Sequence, residues 1–365
     1  MKFTNWYKGL ISVLLPSMLV LSSMNMLAQK PETRFLEMKG TLFTHKINDK
    51  DSLSEDKIIE LRNEKGIVVW FSRDIYKEVC LKGLCRMIHL KIYWTGTGNY
   101  LGLKLFEPLT KTDHVEFKPE DYEKLDRILS DSLSILKGLK IEDLTVETGD
   151  LNKDRVDATS GATNPTILEY VVKDAVYTCY TLWYTVYGST REKIRSILEK
   201  RVDKDYLRLI FEQKDPQYLL WAIDLIDRHA EYHQFFYHSI IEQIKTDDPK
   251  LSQKASHYFT PSRLSDASIQ KELAIMIGDI LLYNQYEIIR IFSTLQQVNN
   301  DAILILLEQF ENKKINAGML GTVCKMIGPE NMVDSRIVKK LERISEDKNL
   351  YVRDMAQKLL SGTKN

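Results

Sequence analysis

The apolar residues change their spacing near Gly188, and that change limits the chain to a sheet-bearing half followed by a helical half. Before it, Gly66-Ile67-Val68-Val69-Trp70-Phe71 is a dense β run. The stretch Arg86 to Trp94 sets Met87, His89, Lys91 and Tyr93 against Ile88, Leu90, Ile92 and Trp94. A period of two marks an antiparallel strand with one buried face. After Gly188, apolar positions recur at helical spacing and almost no strand signal remains.

The first half reads as an α+β domain with a mixed or antiparallel sheet. Arg34–Met38 and Gly40–Thr44 are short strand candidates, and Ser54 to Arg62 has weak helical character. Tyr76–Cys80 and Arg86–Trp94 flank a hairpin tip at Lys82-Gly83. Thr95-Gly96-Thr97-Gly98-Asn99 is a turn, and Tyr100 to Leu105 returns as a strand. A dinucleotide loop at Gly96 and Gly98 is a poor reading, because a third glycine is missing and a strand follows. Lys118-Pro119-Glu120-Asp121 carries the start signals of a helix. A second helix is expected from Ile167 to Tyr187, with Tyr177, Tyr180, Tyr184 and Tyr187 on one face. Val176, Cys179, Trp183 and Val186 lie on the adjacent face, the pattern of a helix buried on two sides. Gly188 ends it, and Ser189-Thr190-Arg191-Glu192 has the form of a capping box.

The second half predicts helices around Ile194–Leu198, Tyr206–Phe211, Leu219–Ile226, Phe235–Ile244, Leu273–Leu282, Ile288–Leu295, Ile303–Phe310, Leu320–Ile327 and Ile337–Ile344. Asp215-Pro216, Asp248-Pro249, Thr260-Pro261 and Gly328-Pro329 punctuate them. Many short antiparallel helices point to an all-α solenoid. The last unit, Asp347 to Leu360, resembles a HEAT repeat, in which Val-Arg followed by a small residue (here Val352-Arg353 and Ala356) marks the second helix. The expected domains are a signal peptide over 1–28, an α+β domain over 29–188 and a HEAT-like helical domain over 189–365.

The leader is read from its layout. Lys2 and Lys8 precede the mostly apolar run Leu10 to Leu27, and Ala28 is followed by the polar Gln29-Lys30-Pro31-Glu32. Pro16 and the small Ser22, Ser23 and Ala28 favour a cleaved secretory signal over an anchor helix. The expected location is therefore exported and periplasmic, with no membrane span after cleavage. Lys+Arg 51 balances Asp+Glu 51 in the 365 residues, which argues against a nucleic-acid partner.

Export permits disulfides. Cys80 and Cys85 would face each other across the predicted hairpin, and a structural disulfide is the first reading of that pair. A redox-active pair is the alternative, although the spacing is wider than in thioredoxin-like motifs. His89 would be an isolated third ligand for a metal. Cys179 and Cys324 sit in apolar helical patterns and read as buried thiols. In His229-Ala230-Glu231-Tyr232-His233 the glutamate is one place late for a zincin motif, so a solvated helix face is expected.

One stretch carries a chemical suggestion of its own. Asp157-Ala158-Thr159-Ser160-Gly161-Ala162-Thr163 offers a carboxylate, small residues and a final hydroxyl. If a helix opens just after Thr163, its free N–H groups and dipole would favour a phosphate there. This stretch resembles the flavinylation motif of the FMN-binding domain family, Asp-x-x-Ser/Thr-Gly-Ala-Thr. That domain occurs in the C subunit of the sodium-translocating NADH:quinone reductase and in the G subunit of the Rnf complex. The resemblance covers at most the region before Gly188. It implies FMN attached covalently through a phosphoester on Thr163, with Asp157, Ser160, Gly161 and Ala162 as recognition residues around it. It also implies a flavin transferase for maturation and a redox partner protein for extracytoplasmic electron transfer. Two other readings are a non-redox envelope interaction protein that has lost its flavin and an exported thiol oxidoreductase using Cys80 and Cys85.

Overall fold

The computed structural model describes residues 38–47, 57–79, 86–111, 114–146 and 162–362. The chain divides into two compact units between Ile197 and Leu198. The first is α+β and the second is all-α.

The first unit holds a five-stranded antiparallel meander, β1 (Thr41–Lys46), β2 (Lys57–Arg62), β3 (Val68–Lys77), β4 (Ile88–Thr95) and β5 (Tyr100–Leu105), in that spatial order. The alternation of β4 is realised, with Ile88, Leu90, Ile92 and Trp94 buried. They join Phe71 and Ile75 of β3 and Ile58 of β2 in the core. Each such side chain contributes about 1.5–3 kcal/mol relative to exposure. Residues 57–62, expected to be weakly helical, form β2 instead. Ile58-Ile59 is β-branched, and pairing on both edges with β1 and β3 outweighs the local propensity. Glu60 of β2 is fully buried, and its carboxylate accepts from Arg62 Nε at 2.7 Å and meets His45 Nε2 at 2.6 Å.

The β4–β5 turn needs Gly98, whose φ is +80°. Its carbonyl accepts from Arg191 Nε at 3.1 Å. Arg191 belongs to α3 (Ser189–Glu199), which follows α2 (Val176–Tyr187) across Gly188. A Cβ at Gly188 would lie 2.4 Å from the Tyr184 carbonyl oxygen, so no larger residue fits that junction unshifted. The buried Arg73 of β3 donates from Nη1 to Thr190 Oγ1 at 2.8 Å, and Trp94 Nε1 donates to Val186 O at 2.9 Å. The first bond ties α3 to the sheet and the second ties α2 to it, and the unit boundary falls in the last turn of α3 and not at Gly188.

The second unit is a helical, repeat-like stack. Its helices among the described residues are α4 (Lys204–Gln213), α5 (Pro216–Arg228), α6 (Ala230–Ile244), α7 (Pro249–Tyr258), α8 (Ala267–Met276), α9 (Leu282–Phe292), α10 (Asn300–Glu311), α11 (Ala317–Met326), α12 (Ser335–Ile344) and α13 (Leu350–Gly362). Successive helices pair (α4 with α5, α6 with α7, α10 with α11, α12 with α13), and α5, α7, α9, α11 and α13 form one continuous row. The Asp-Pro signals are the starts of α5 and α7. Asp215 and Asp248 accept from the first-turn N–H groups, and Pro216 and Pro249 take the first helical position. Two sequence expectations change. Helix α7 was not anticipated, because its Ser- and Lys-rich sequence shows few apolar positions. The run Leu273–Leu282 is split by a 3-10 turn at Ile277–Asp279.

No helix among the described residues is long and apolar enough to cross a membrane.

Candidate functional site

Thr163 sits on a short ribbon in the first unit. Strand β6 (Thr145–Val146) pairs with β7 (Ala162–Thr163), placing Thr145 opposite Thr163. The next pair is joined by Asn164 N–H to Leu144 O at 2.9 Å. Hydrogen bonding alternates along an antiparallel ladder, so Thr145 and Thr163 form the closer, non-hydrogen-bonded kind of pair. Their Cβ atoms are expected about 4.5–5.5 Å apart on one side of the ribbon. Thr163 is half-buried, and its hydroxyl has no hydrogen-bond partner among the described residues. The Thr145 hydroxyl is 3.2 Å from the Tyr177 hydroxyl.

The segment after Thr163 departs from expectation. No α-helix opens there. Pro165–Tyr170 is a 3-10 turn capped by Asn164, whose Oδ1 accepts from Thr166 N at 3.1 Å and Thr166 Oγ1 at 2.9 Å. Val171 is then extended, Val171 and Val172 are fully buried, and Asp174 has a φ of 60°. Burial of two β-branched residues and a left-handed turn break the run, and α2 begins only at Val176. The helix-dipole argument for a phosphate at Thr163 therefore does not hold.

Helix α2 positions the ribbon by a row of ring donors. Tyr187 donates to Leu129 O at 2.7 Å, and Trp183 Nε1 to Asp131 O at 2.9 Å. Leu129 lies in the last turn of α1 (Pro119–Ser130), and Asp131 is its C-cap, so both carbonyls lack helical partners. Tyr184 reaches Lys137 O and Leu139 O at 3.2 and 3.1 Å, and Tyr180 reaches Leu139 O at 3.3 Å. Tyr177 completes the row at Thr145. The expected tyrosine face is thus a face of hydroxyls bonded to the 129–145 connector. Burial, with the Tyr184 hydrogen bond second, pushes Tyr180 up to about 12, and burial does the same for Tyr187. Both remain protonated donors at neutral pH.

Of the other singled-out residues, Asp157, Ser160 and Gly161 lie outside the described residues, as do Cys80 and Cys85. Ala162 lies on β7. His89 packs its ring against Phe106 at 4.7 Å and Tyr76 at 5.4 Å, as part of a sheet face. Cys179 and Cys324 are buried free thiols. His229 and His233 do not act together: His229 precedes α6 and meets Glu231 at 3.3 Å, and His233 lies 3.4 Å from Arg263 Nη2.

Sequence reading missed one cluster. His238 and Glu242 of α6 and Glu272 of α8 bring their ligand atoms within 4.8 Å of one another. Glu272 comes from another helical hairpin, so spacing could not reveal it. These groups already satisfy one another and their neighbours: His238 Nδ1 meets Glu272 at 2.5 Å, and Lys245 meets Glu242 at 2.7 Å. The His and Glu242 side chains are also exposed, so the arrangement is that of surface ion pairs.

No protein-family model, curated protein or solved structure matches this chain.

Proposed function

We propose that the chain is an exported flavoprotein that carries FMN through a phosphoester on Thr163 and exchanges electrons with a partner redox protein outside the cytoplasm. The observation that supports this reading is the half-buried Thr163 hydroxyl, without a hydrogen-bond partner among the described residues, at the end of an Asp157-to-Thr163 motif. A residue that must accept a bulky phosphoester needs a free hydroxyl with room around it, and a core threonine bonded to backbone would not serve. Thr145 and Tyr177 add hydroxyl donors on the neighbouring elements. The flavin, when bound, would supply the redox chemistry, and the chain would supply its position and surroundings. The helical unit would dock the partner, since repeat stacks present extended surfaces.

The test is co-expression with a flavin transferase, followed by intact-mass measurement and in-gel fluorescence after denaturation. The mass is expected to rise by one FMN moiety, and Thr163→Ala should abolish the rise. A second reading, a non-redox envelope interaction protein, is favoured by the absence of an α-helix N-terminus beside Thr163. An unmodified wild-type protein in the same experiment selects it.

A further inference from the structure

The helical unit contains a groove of about 780 Å³ between α11, the 3-10 turn Asn331–Val333 and α13. Its floor is apolar, made by Cys324, Ile327, Met332, Met355 and Leu359. Val333 stands on its rim and is 85% exposed, the highest exposure of any large apolar side chain among the described residues. That exposure is built in. The turn hangs on Asn331, which is fully buried and bonded on both sides of its amide. Met332 and Val333 are therefore presented by a fixed backbone and not by a slack loop.

Two cations line the groove, and the Glu330 carboxylate stands beside Gly328 at its edge. Lys325 and Lys358 are those cations, and no acidic residue lines the groove itself among the described residues. Neither lysine has a carboxylate partner among the described residues. The smaller neighbouring cavity, of about 470 Å³, behaves differently: its Glu311 is held by Lys340 at 2.5 Å and Arg343 at 3.6 Å. Its charges cancel internally, whereas at the larger groove the two lysines outnumber Glu330. A volume of this size falls in the usual ligand-pocket range of about 300–1,000 Å³. Methionines adapt their shape to an apolar chain.

We propose that this groove binds an amphiphilic anion, a long-chain carboxylate with its hydrocarbon on the Met332–Met355 floor and its head group against Lys325 and Lys358. The charge complementarity selects a carboxylate over a neutral or cationic amphiphile. The proposal is independent of flavin attachment, since all its residues lie in the second unit.

The experiment uses the full chain with 13C-labelled methionine methyl groups, titrated with dodecanoate below its micelle-forming concentration. The Met332 and Met355 methyl resonances should shift and saturate, while those of the buried Met276 and Met319 stay in place. Dodecyltrimethylammonium should bind at least about tenfold more weakly, and the K325E/K358E double variant should lose about tenfold in dodecanoate affinity while gaining for the cation. Unchanged far-ultraviolet circular dichroism of the variant would show that it is folded; if it is not, the wild-type comparison of the two amphiphiles carries the test. Equal binding of both amphiphiles by the wild type, or no shift of either groove methyl, overturns the proposal.

Discussion

Asn331 anchors the 3-10 turn Asn331–Val333 of the helical unit. It is fully buried. Its Nδ2 donates to Asn300 Oδ1 at 2.7 Å and to Val298 O at 3.1 Å, and its Oδ1 accepts from Gly328 N–H at 2.9 Å. Asn331→Ala removes all three bonds. At about 1 kcal/mol net for each, the loss is about 3 kcal/mol. Urea unfolding followed by far-ultraviolet circular dichroism, to which the helical unit contributes most, should show that loss in the helical transition. Asn331→Asp is the sharper control. It keeps the acceptor for Gly328 but faces two oxygens with a carboxylate, so it should be worse than alanine at neutral pH. The folded state then disfavours ionisation, and the folded pKa of the new carboxyl rises above its unfolded value of about 3.9. The charge-dependent part of its destabilisation is absent below the unfolded value and grows as pH rises through the folded one, so acidification should restore part of the stability. A loss below about 1 kcal/mol for Asn331→Ala, or an aspartate variant no worse than alanine at neutral pH, would refute this account of the turn.

Gly98→Ala should destabilise the sheet unit by about 1–2 kcal/mol, because the φ of +80° is strained for any Cβ and the new methyl would sit 3.3 Å from Ile194 Cγ2; tryptophan fluorescence in urea checks it. Burial pushes the Cys179 thiol up to about 12 and the Cys324 thiol up to about 11, so both should resist maleimide at about pH 8 until the protein unfolds. If Cys80 and Cys85 are bridged as the sequence suggests, the native, unreduced protein takes up no label, and reduction exposes that pair first. Arg336, by its side-chain bond and then its N–H, holds the Asp334 carboxyl below the usual range. The support this gives to the start of α12 is present above the ordinary carboxyl value and is lost as pH falls through the lower folded one. Arg336→Gln should move the Asp334 titration upward in carbon-detected NMR.

The two halves of the fold were legible because their apolar periods differ and because Gly188 and the Asp-Pro pairs mark real helix boundaries. The tyrosine face of α2 was legible as a face, but its purpose was not, since the partners are backbone carbonyls and carry no sequence signature. Strand β2 was misread because Lys57–Arg62 is short and its buried Glu60 looks like a surface residue until His45 and Arg62 are brought to it. The start of α2 was placed too early because Val171 and Val172 fit a helical pattern while serving the core in extended form. At the candidate site, Thr163 could be singled out by its motif, whereas its cross-strand partner Thr145 and the contact from Tyr177 arise only from long-range pairing.

The row of ring donors on α2 implies an unequal tolerance to substitution. The connector between α1 and β6 is held largely by its carbonyls, which every residue possesses. Among its side chains Asp131, Leu133, Ile135, Lys137 and Lys140 are exposed, and only Ser134, Leu136 and Leu144 are buried. Its sequence is therefore free to drift at most positions without loosening its attachment. On the helix no such freedom exists, because Tyr180, Trp183, Tyr184 and Tyr187 each supply a donor at a fixed height. A saturation-mutagenesis map of this region should show a permissive strip lying directly on an intolerant one.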